Sequence, residues 1–271
     1  PTHIVFGKDR LGELDTLVPK DAKVLITYGG GSAVRSGLID RIVKVLGNRK
    51  VEQFGGIEPN PSLETCERAV AFIKERGVDF VLAVGGGSVV DATKLIVMGA
   101  TYDGPVIEVM KAGVPAVPVE MVPNPLPFGT VMTLPATGSE MNNGAVITYG
   151  DGKYPVFSSL VFPKFSMLDP TLTFTLPEKQ VKNGVIDTFV HTTEQYLTYP
   201  VEGRIQDRFS EGILKTMIEI GKETVENPEN YDIRANHVWA STLALNGLIG
   251  AGVPQDWATH LIGHELTATY H

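Results

Sequence analysis

The chain has 271 residues, 43% of them hydrophobic, and a formal net charge of -8 without a basic run. This length allows a sizeable core in one large or two smaller domains, and the acidic balance argues against a nucleic-acid partner. The single cysteine, Cys66, excludes an internal disulfide. The sequence also shows no signal peptide and no apolar run of about 18 residues. We therefore expect a reducing, cytoplasmic setting without membrane partners.

The first part of the chain, to about Phe174, alternates short apolar or β-branched runs with amphipathic stretches. This pattern is typical of an α/β unit with a largely parallel sheet. One unit, a strand followed by a GGGS turn and a helix, occurs twice. Its three pieces fall at 23–28, 29–32 and 33–46 in the first copy, and at 79–84, 85–88 and 89–100 in the second.

The stretch 101–129 is dense in proline and glycine, and we expect a loop with one edge strand there because proline cannot donate in a central strand. Residues 130–140 (TVMTLPATGSE) predict a strand that runs into a hydroxyl-rich turn, and residues 145–160 predict two strands around a glycine turn. Two smaller predicted elements are a strand at 51–54 and a helix at 62–76 with Ser62 as its N-cap.

After Leu176 the pattern changes to long stretches of helical periodicity. Predicted helices fall at 177–197, 203–226, 232–249 and 255–270, with Pro177 at a first helical position. A boundary near 175 therefore divides an α/β domain, residues 1–175, from an all-helical domain, residues 176–271. A cleft between two such domains is the natural place for a ligand.

Each GGGS turn leaves a strand and opens a helix, so its backbone N–H groups and the helix dipole attract an anion such as phosphate. Neither turn matches G-x-G-x-x-G, the usual dinucleotide-binding motif, and a single GGGS sequence is most often only a tight turn. Two copies in the same strand-to-helix context indicate a dinucleotide-binding site. The residues assigned to it are Gly29, Gly30, Gly31 and Ser32 for one part, and Gly86, Gly87 and Ser88 for the pyrophosphate.

The first GGGS turn also bears on which dinucleotide binds. NAD sites usually present a carboxylate to the ribose 2′-hydroxyl, and that carboxylate would repel a 2′-phosphate. No carboxylate is available locally after KVLITY, whereas Ser32, free amides and Arg35 are, so the turn favours NADP. Arg35 is equally well interpreted as a solvated helix residue.

Other polar residues should reach the same cleft. Hydroxyls of the turn TLPATGSE would hold ribose, phosphate or carboxamide, or else cap a helical turn. Asp91 and Lys94 either face the nicotinamide or pair with each other, and Lys153 either contacts the cofactor or is solvated. The polar residues of the turn are Thr133, Thr137, Ser139 and Glu140.

Asp187 and His191 are four residues apart in VIDTFVH, so a helix places the carboxylate and the imidazole on one face. Two metal ligands have this spacing, although ordinary helix-surface contacts share it. His260 and His264 repeat the spacing on the last helix, with His271 seven residues further on. An oxygen and several nitrogens suit zinc or ferrous iron better than magnesium or calcium.

Together these motifs resemble the iron-containing, group III alcohol dehydrogenases, and within them the NADPH-dependent aldehyde reductases and butanol dehydrogenases. The resemblance extends along nearly the whole chain through FGK, LITYGGGS, FGGIEPNP, LAVGGGSVVDATK, TLPATGSE, NGVIDTFVHTTEQY and LNGLIGAGVPQDWATHLIGHELTA. It implies a Rossmann-like α/β domain followed by an all-helical metal-binding domain. It also implies metal ligands at Asp187, His191 and His260, with His264 and His271 near the reacting groups.

The resemblance further implies a fourth histidine ligand three residues beyond His271, so we expect the helical domain to be truncated in this chain. NADPH would deliver a hydride to an aldehyde whose oxygen is polarised by zinc, iron or manganese, with a proton from His264, water or the cofactor ribose. We expect a homodimer acting on small aldehydes and primary alcohols.

Two alternatives stay open. A dehydroquinate-synthase-like or glycerol-dehydrogenase-like NAD-dependent metalloenzyme shares this architecture, but the synthase type needs basic residues for a phosphorylated substrate, and residues 187–271 contain no such cluster. The second alternative is a nucleotide-binding scaffold without catalytic activity.

Overall fold

A six-stranded parallel sheet organises the first part of the chain. The structure, a computed structural model, describes residues 1–112 and 121–270. The four inner strands are buried almost throughout because their continuous apolar runs are covered on both faces, whereas the two edge strands are more exposed. In spatial order, and numbered along the chain, they are β1 (His3–Phe6), β8 (Phe165–Leu168), β5 (Phe128–Met132), β4 (Phe80–Gly85), β2 (Lys23–Tyr28) and β3 (Lys50–Phe54).

Helices cover the two faces of this sheet, and alternate residues of each strand point to opposite faces. Leu25 and Val81 pack with the side chains of two long helices on one face, while Val24 and Leu82 pack with a second set of helices on the other. The helices of this part are α1 (Leu14–Leu17), α2 (Ser32–Arg35), α3 (Leu38–Leu46), α4 (Leu63–Arg76), α5 (Gly87–Gly99) and α6 (Val106–Ala112).

An antiparallel hairpin, β6 (Gly144–Tyr149) and β7 (Gly152–Phe157), forms a separate two-stranded sheet. The turn between the strands includes Gly150, whose φ of +55° is in the left-handed region that glycine tolerates. Ile147 and Val156 are buried in the same core as α4 and α5, so the hairpin lies over the sheet and does not extend it.

The second part is helical: α7 (Glu178–Tyr196), α8 (Arg204–Glu226), α9 (Tyr231–Ala244) and α10 (Ala258–Tyr270). The first three pack around a small core that includes Ile213, Met217 and Ile249. The last helix contacts both α7 and the hairpin strand β7. Among the described residues, no helix is both long and apolar enough to cross a membrane.

Several predicted boundaries differ from the structure. The helix expected at 33–46 divides into α2 and α3 because Gly37 between them has a φ of +75°. The helix expected to continue to 249 ends at Ala244, since Leu245 leaves the helical region and Gly247 has a φ of +93°. Ser62 is confirmed as the N-cap of α4, where its hydroxyl accepts from the N–H of Thr65 at 3.2 Å.

The interpretation of 101–129 as loop with one edge strand is wrong in its described part. That part contains α6 and the first two residues of β5, which is a central strand between β8 and β4. The last proline of this stretch is Pro127, directly before β5, so no proline interrupts the hydrogen bonds between β5 and its neighbouring strands. Residues 113–120 lie outside the described residues.

Candidate metal and cofactor site

The two GGGS turns leave the sheet at its topological switch point. From β2 the chain moves outward to β3, and it then returns to place β4 on the other side of β2. In open α/β sheets the crevice at such a point, beyond the carboxyl ends of the strands, is where ligands bind. The turn 133–139 reaches the same edge, because the N–H of Thr133 donates to the carbonyl of Gly85 at 3.0 Å.

The second turn brings the start of α5 against the turn that follows β5. A Cβ atom on Gly87 would lie 2.4 Å from both Cγ2 and Oγ1 of Thr137, so only glycine allows this approach. Gly86 is the N-cap of α5, and the hydroxyl of Ser88 accepts from the N–H of Asn60 at 3.3 Å. The predicted pyrophosphate residues and Thr137 therefore lie together at one helix N-terminus.

The first turn is open to solvent on its outer side. Gly31 has a φ of +96°, and a Cβ atom on Gly30 would meet nothing within 4 Å. Ser32 begins the short helix α2, and one Nη of Arg35 donates back to the carbonyl of Gly30 at 3.3 Å. The guanidinium is exposed yet held over the turn, which is compatible with both interpretations of Arg35.

Asp91 lies on α5, and its two carboxylate oxygens hold two neighbouring segments against this helix. One oxygen accepts from the hydroxyl of Ser139 at 2.6 Å, and the other accepts from the N–H of Val146 at 2.9 Å. Burial raises the pKa of this carboxyl. Its contact with the cofactor stays a prediction.

Lys94 is fully buried and does not face an open cleft. Its ammonium donates to the hydroxyl of Ser139 at 2.8 Å, the side-chain oxygen of Asn142 at 2.8 Å and the carbonyl of Gly144 at 2.7 Å. Burial lowers the pKa of Lys94 to about 8. Neither sequence interpretation fits: Lys94 meets Asp91 through Ser139 and not directly, and its three donors fasten the segment 139–144, which leads into the hairpin, to α5.

Glu140 is also an internal contact, since it is buried and accepts from the hydroxyl of Thr242 on α9 at 2.6 Å. Lys153, in contrast, lies half-buried on β7 and hydrogen bonds to the side chain of Asn60. Burial lowers the pKa of Lys153, and its charge in turn helps to lower the pKa of His264 on α10. Lys153 therefore lies between the second GGGS turn and the histidines of α10.

Asp187, His191 and His260 converge from two helices. The Oδ1 atom of Asp187 is 3.6 Å from Nε2 of His191 on α7 and 3.3 Å from Nε2 of His260 on α10. Three potential ligand atoms, one from each residue, all lie within 4.8 Å of one another. The two imidazole rings are stacked, with centroids 4.5 Å apart.

The protonation of the two histidines differs. His191 is 4% exposed, and burial lowers its pKa to about 4, so the ring is neutral at neutral pH. Burial also acts to lower the pKa of His260, but hydrogen bonds to Asp187 and Glu194 outweigh it and raise that pKa. One carboxylate oxygen and two imidazole nitrogens at this spacing fit a zinc or ferrous ion, which prefers this donor set.

Glu194 contacts the candidate ligand His260 and was not predicted from the sequence. Its carboxylate accepts from the backbone N–H of Thr259 at 2.5 Å and of His260 at 3.2 Å, and it hydrogen bonds to Nδ1 of the His260 ring. Its position three residues after His191, on the same helix face, was the available signal.

The two other predicted histidines, His264 and His271, are not among the three converging residues. The ring centroid of His264 lies 6.1 Å from that of His260, and the side chain is half-buried. Burial lowers the pKa of His264, which favours its neutral form. His271 lies outside the described residues.

Comparison with known proteins places this geometry in context. Residues 1–170 match the family described as iron-containing alcohol dehydrogenase, and residues 181–271 match the C-terminal part of the Fe-containing alcohol dehydrogenase family. The NADPH-dependent aldehyde reductase YqhD of Escherichia coli is 54% identical over all of this chain and 70% of that protein. A probable NADH-dependent butanol dehydrogenase of Bacillus subtilis is 43% identical over all of this chain and 70% of that protein.

Comparison with solved structures indicates the same family relationship. The crystal structure of Escherichia coli YqhD superposes with a TM-score of 0.95 at 52% identity, over all of this chain and 69% of that one. The NADH-dependent butanol dehydrogenase A of Thermotoga maritima superposes with a TM-score of 0.92 at 36% identity, over all of this chain and 68% of that one. The α/β class and the helical part that follows it are confirmed.

Proposed function

Because this chain belongs to the iron-containing alcohol dehydrogenase family, we propose that it transfers a hydride between NADP(H) and small aldehydes or primary alcohols with one divalent metal ion. The observation that carries this proposal is the convergence of Asp187, His191 and His260 beside the cofactor crevice. The family favours this oxidoreductase over the lyase and scaffold alternatives.

The metal ion would be held by an oxygen of Asp187 and by Nε2 of His191 and of His260. When bound, the cation supplies Lewis acidity to a carbonyl oxygen, and the cofactor supplies or accepts the hydride. The protein contributes a neutral His191 ring, a carboxylate and a partly buried setting, which prepare the ligand atoms. The source of the proton, which is water, the cofactor ribose or His264, stays a proposal. A neutral His264 ring would act only as a relay that takes a proton from water at one nitrogen as it releases one from the other.

The glycine turns would bind the dinucleotide at the switch point. We assign the pyrophosphate to the start of α5 at Gly86, Gly87 and Ser88, where helix N–H groups face the crevice. Lys153 on β7 lies between this turn and α10, so we assign it to the part of the cofactor that faces the metal. Asp91, Thr133 and Thr137 are assigned to the same crevice.

The open geometry of Gly30 allows a direct test of the NADP preference. Gly30→Asp should fit, because its Cβ atom meets nothing and its φ lies outside the left-handed region. The new carboxylate would repel a 2′-phosphate and accept from a 2′-hydroxyl. We expect the ratio of kcat/KM for NADPH to that for NADH to fall by about 10- to 100-fold, since like charges cost on the order of 1–3 kcal/mol.

Gly212→Asp is the matched control, because Gly212 on α8 also has open space and lies outside the crevice. This variant should leave the cofactor ratio unchanged. An unchanged ratio in Gly30→Asp as well would show that the first GGGS turn does not face the 2′-phosphate.

The function as a whole is tested by mixing zinc-loaded protein with butanal and NADPH. We expect net NADPH consumption matched by formation of butanol. A lyase would regenerate its cofactor, and a scaffold would bind NADPH without turnover. Absence of turnover with both NADPH and NADH in a metal-loaded sample contradicts the dehydrogenase proposal.

Homodimer formation and a cytoplasmic location stay proposals that rest on the family resemblance and on the cysteine content. The molar mass of the purified protein in solution tests the first of them.

A further inference from the structure

We propose that Glu194 is a positioning residue that fixes the His260 ring for metal binding, an inference that rests on the proposed metal site. Glu194 lies on α7, and its side chain is 6% exposed. One carboxylate oxygen accepts from the backbone of α10, and the other hydrogen bonds to Nδ1 of His260. The same carboxylate therefore holds both the helix and the ring.

The hydrogen bond determines which nitrogen of His260 carries the proton. An ionised carboxylate can only accept, so Nδ1 must be protonated. The other oxygen of Glu194 accepts from two backbone N–H groups, those of Thr259 and His260, so the whole group is placed as an acceptor. In a neutral ring the lone pair is then on Nε2, the atom 3.3 Å from Asp187. A metal ligand at Nε2 requires this tautomer.

The position of α10 depends on the same carboxylate. Of the residues of α10, Ala268 alone is buried, so packing contributes little to holding the helix in place. The N–H groups of Thr259 and His260 belong to its first turn, where a helix has no internal acceptors. A negative charge at this end also interacts favourably with the helix dipole.

The two ring ligands differ in how they are oriented. His191 is buried on α7, and its Nδ1 has no hydrogen-bond partner among the described residues, so packing alone sets its ring. His260 is on the more exposed helix, with its side chain 21% exposed, and its ring is oriented by Glu194. Removal of this hydrogen bond should therefore affect His260 specifically.

Glu194→Gln separates ring positioning from simple helix capping. The amide oxygen can still accept from the N–H groups of α10, but the amide nitrogen would donate to Nδ1 and move the ring proton to Nε2. We expect the dissociation constant for Zn²⁺ to rise by about 10- to 100-fold, as when such an outer-shell partner is removed. Competition with a chromophoric chelator measures this change, and ¹H NMR of the zinc-loaded protein should lose the downfield Nδ1–H signal.

Asn230→Ala is the control for capping, because the Asn230 side chain accepts from the N–H of Ile233 at the start of α9. It should lower the melting temperature without changing the zinc dissociation constant. If Glu194→Gln gives the same pattern and keeps the Nδ1–H signal, Glu194 is only a helix cap and the inference is wrong. If the unchanged chain does not bind Zn²⁺, the proposed metal site itself fails.

Discussion

Asp187→Asn should lower kcat/KM for aldehyde reduction by about 10³-fold, because Lewis-acid stabilisation by a bound cation is worth several kcal/mol. The substitution keeps the side-chain volume but removes the only carboxylate among the three candidate ligands. It leaves two imidazoles whose Nε2 atoms face a neutral amide. Steady-state kinetics in zinc-loaded protein and metal content after dialysis measure the two effects.

Asp232→Asn is the matched control, because Asp232 is an exposed carboxylate in the first turn of α9. It should leave both metal content and turnover unchanged. NADPH binding should persist in Asp187→Asn, since the glycine turns lie on the sheet and not on α7. Metal retention equal to that of the unchanged chain would show that the cation binds elsewhere.

Local sequence patterns predicted the elements of this fold well. The GGGS turns were recognisable because a glycine-rich turn between a buried strand and a helix leaves a local signature. The pair Asp187 and His191 was recognisable because both residues are on one helix, so their spacing alone sets their geometry. Ser62 was recognisable for the same local reason.

Non-local contacts were harder to predict. The sequence does not reveal that Lys94 turns into the protein, because its acceptors, such as Asn142 and Gly144, are about 50 residues away in the chain. Glu194 was overlooked because its partner His260 is on another helix, 66 residues further on. The breaks at Gly37 and Gly247 were missed because an isolated glycine is also tolerated within a helix.

The contact between α7, which carries two of the candidate metal ligands, and the candidate cofactor crevice depends on Gly184. A Cβ atom at this position would lie 2.2 Å from the carbonyl oxygen of Pro135, in the turn that carries Thr137. The obstacle is backbone, so no side-chain rotation relieves it. Gly184 lies one turn before Asp187 and Thr188 on α7, so the same close approach sets the distance between the ligand face of α7 and the crevice.

Gly184→Ala should therefore destabilise the protein, although alanine is normally the better helix residue. Overpacking against fixed neighbours costs about 1–3 kcal/mol, and a loss near 2 kcal/mol corresponds to a fall of about 4–8 °C in the melting temperature. Because α7 must move away from the turn, kcat should fall more than the affinity for NADPH. Thermal unfolding, NADPH titration and turnover measurements separate these effects.

Gly212→Ala tests the opposite case on α8, where the new Cβ atom meets nothing within 4 Å. Only the helix propensity changes there, so we expect a gain of about 0.5–1 kcal/mol and unaltered turnover. If Gly184→Ala matched this gain, α7 would have to shift without cost. The close approach at Pro135 would then not be what holds the candidate metal ligands beside the candidate cofactor crevice.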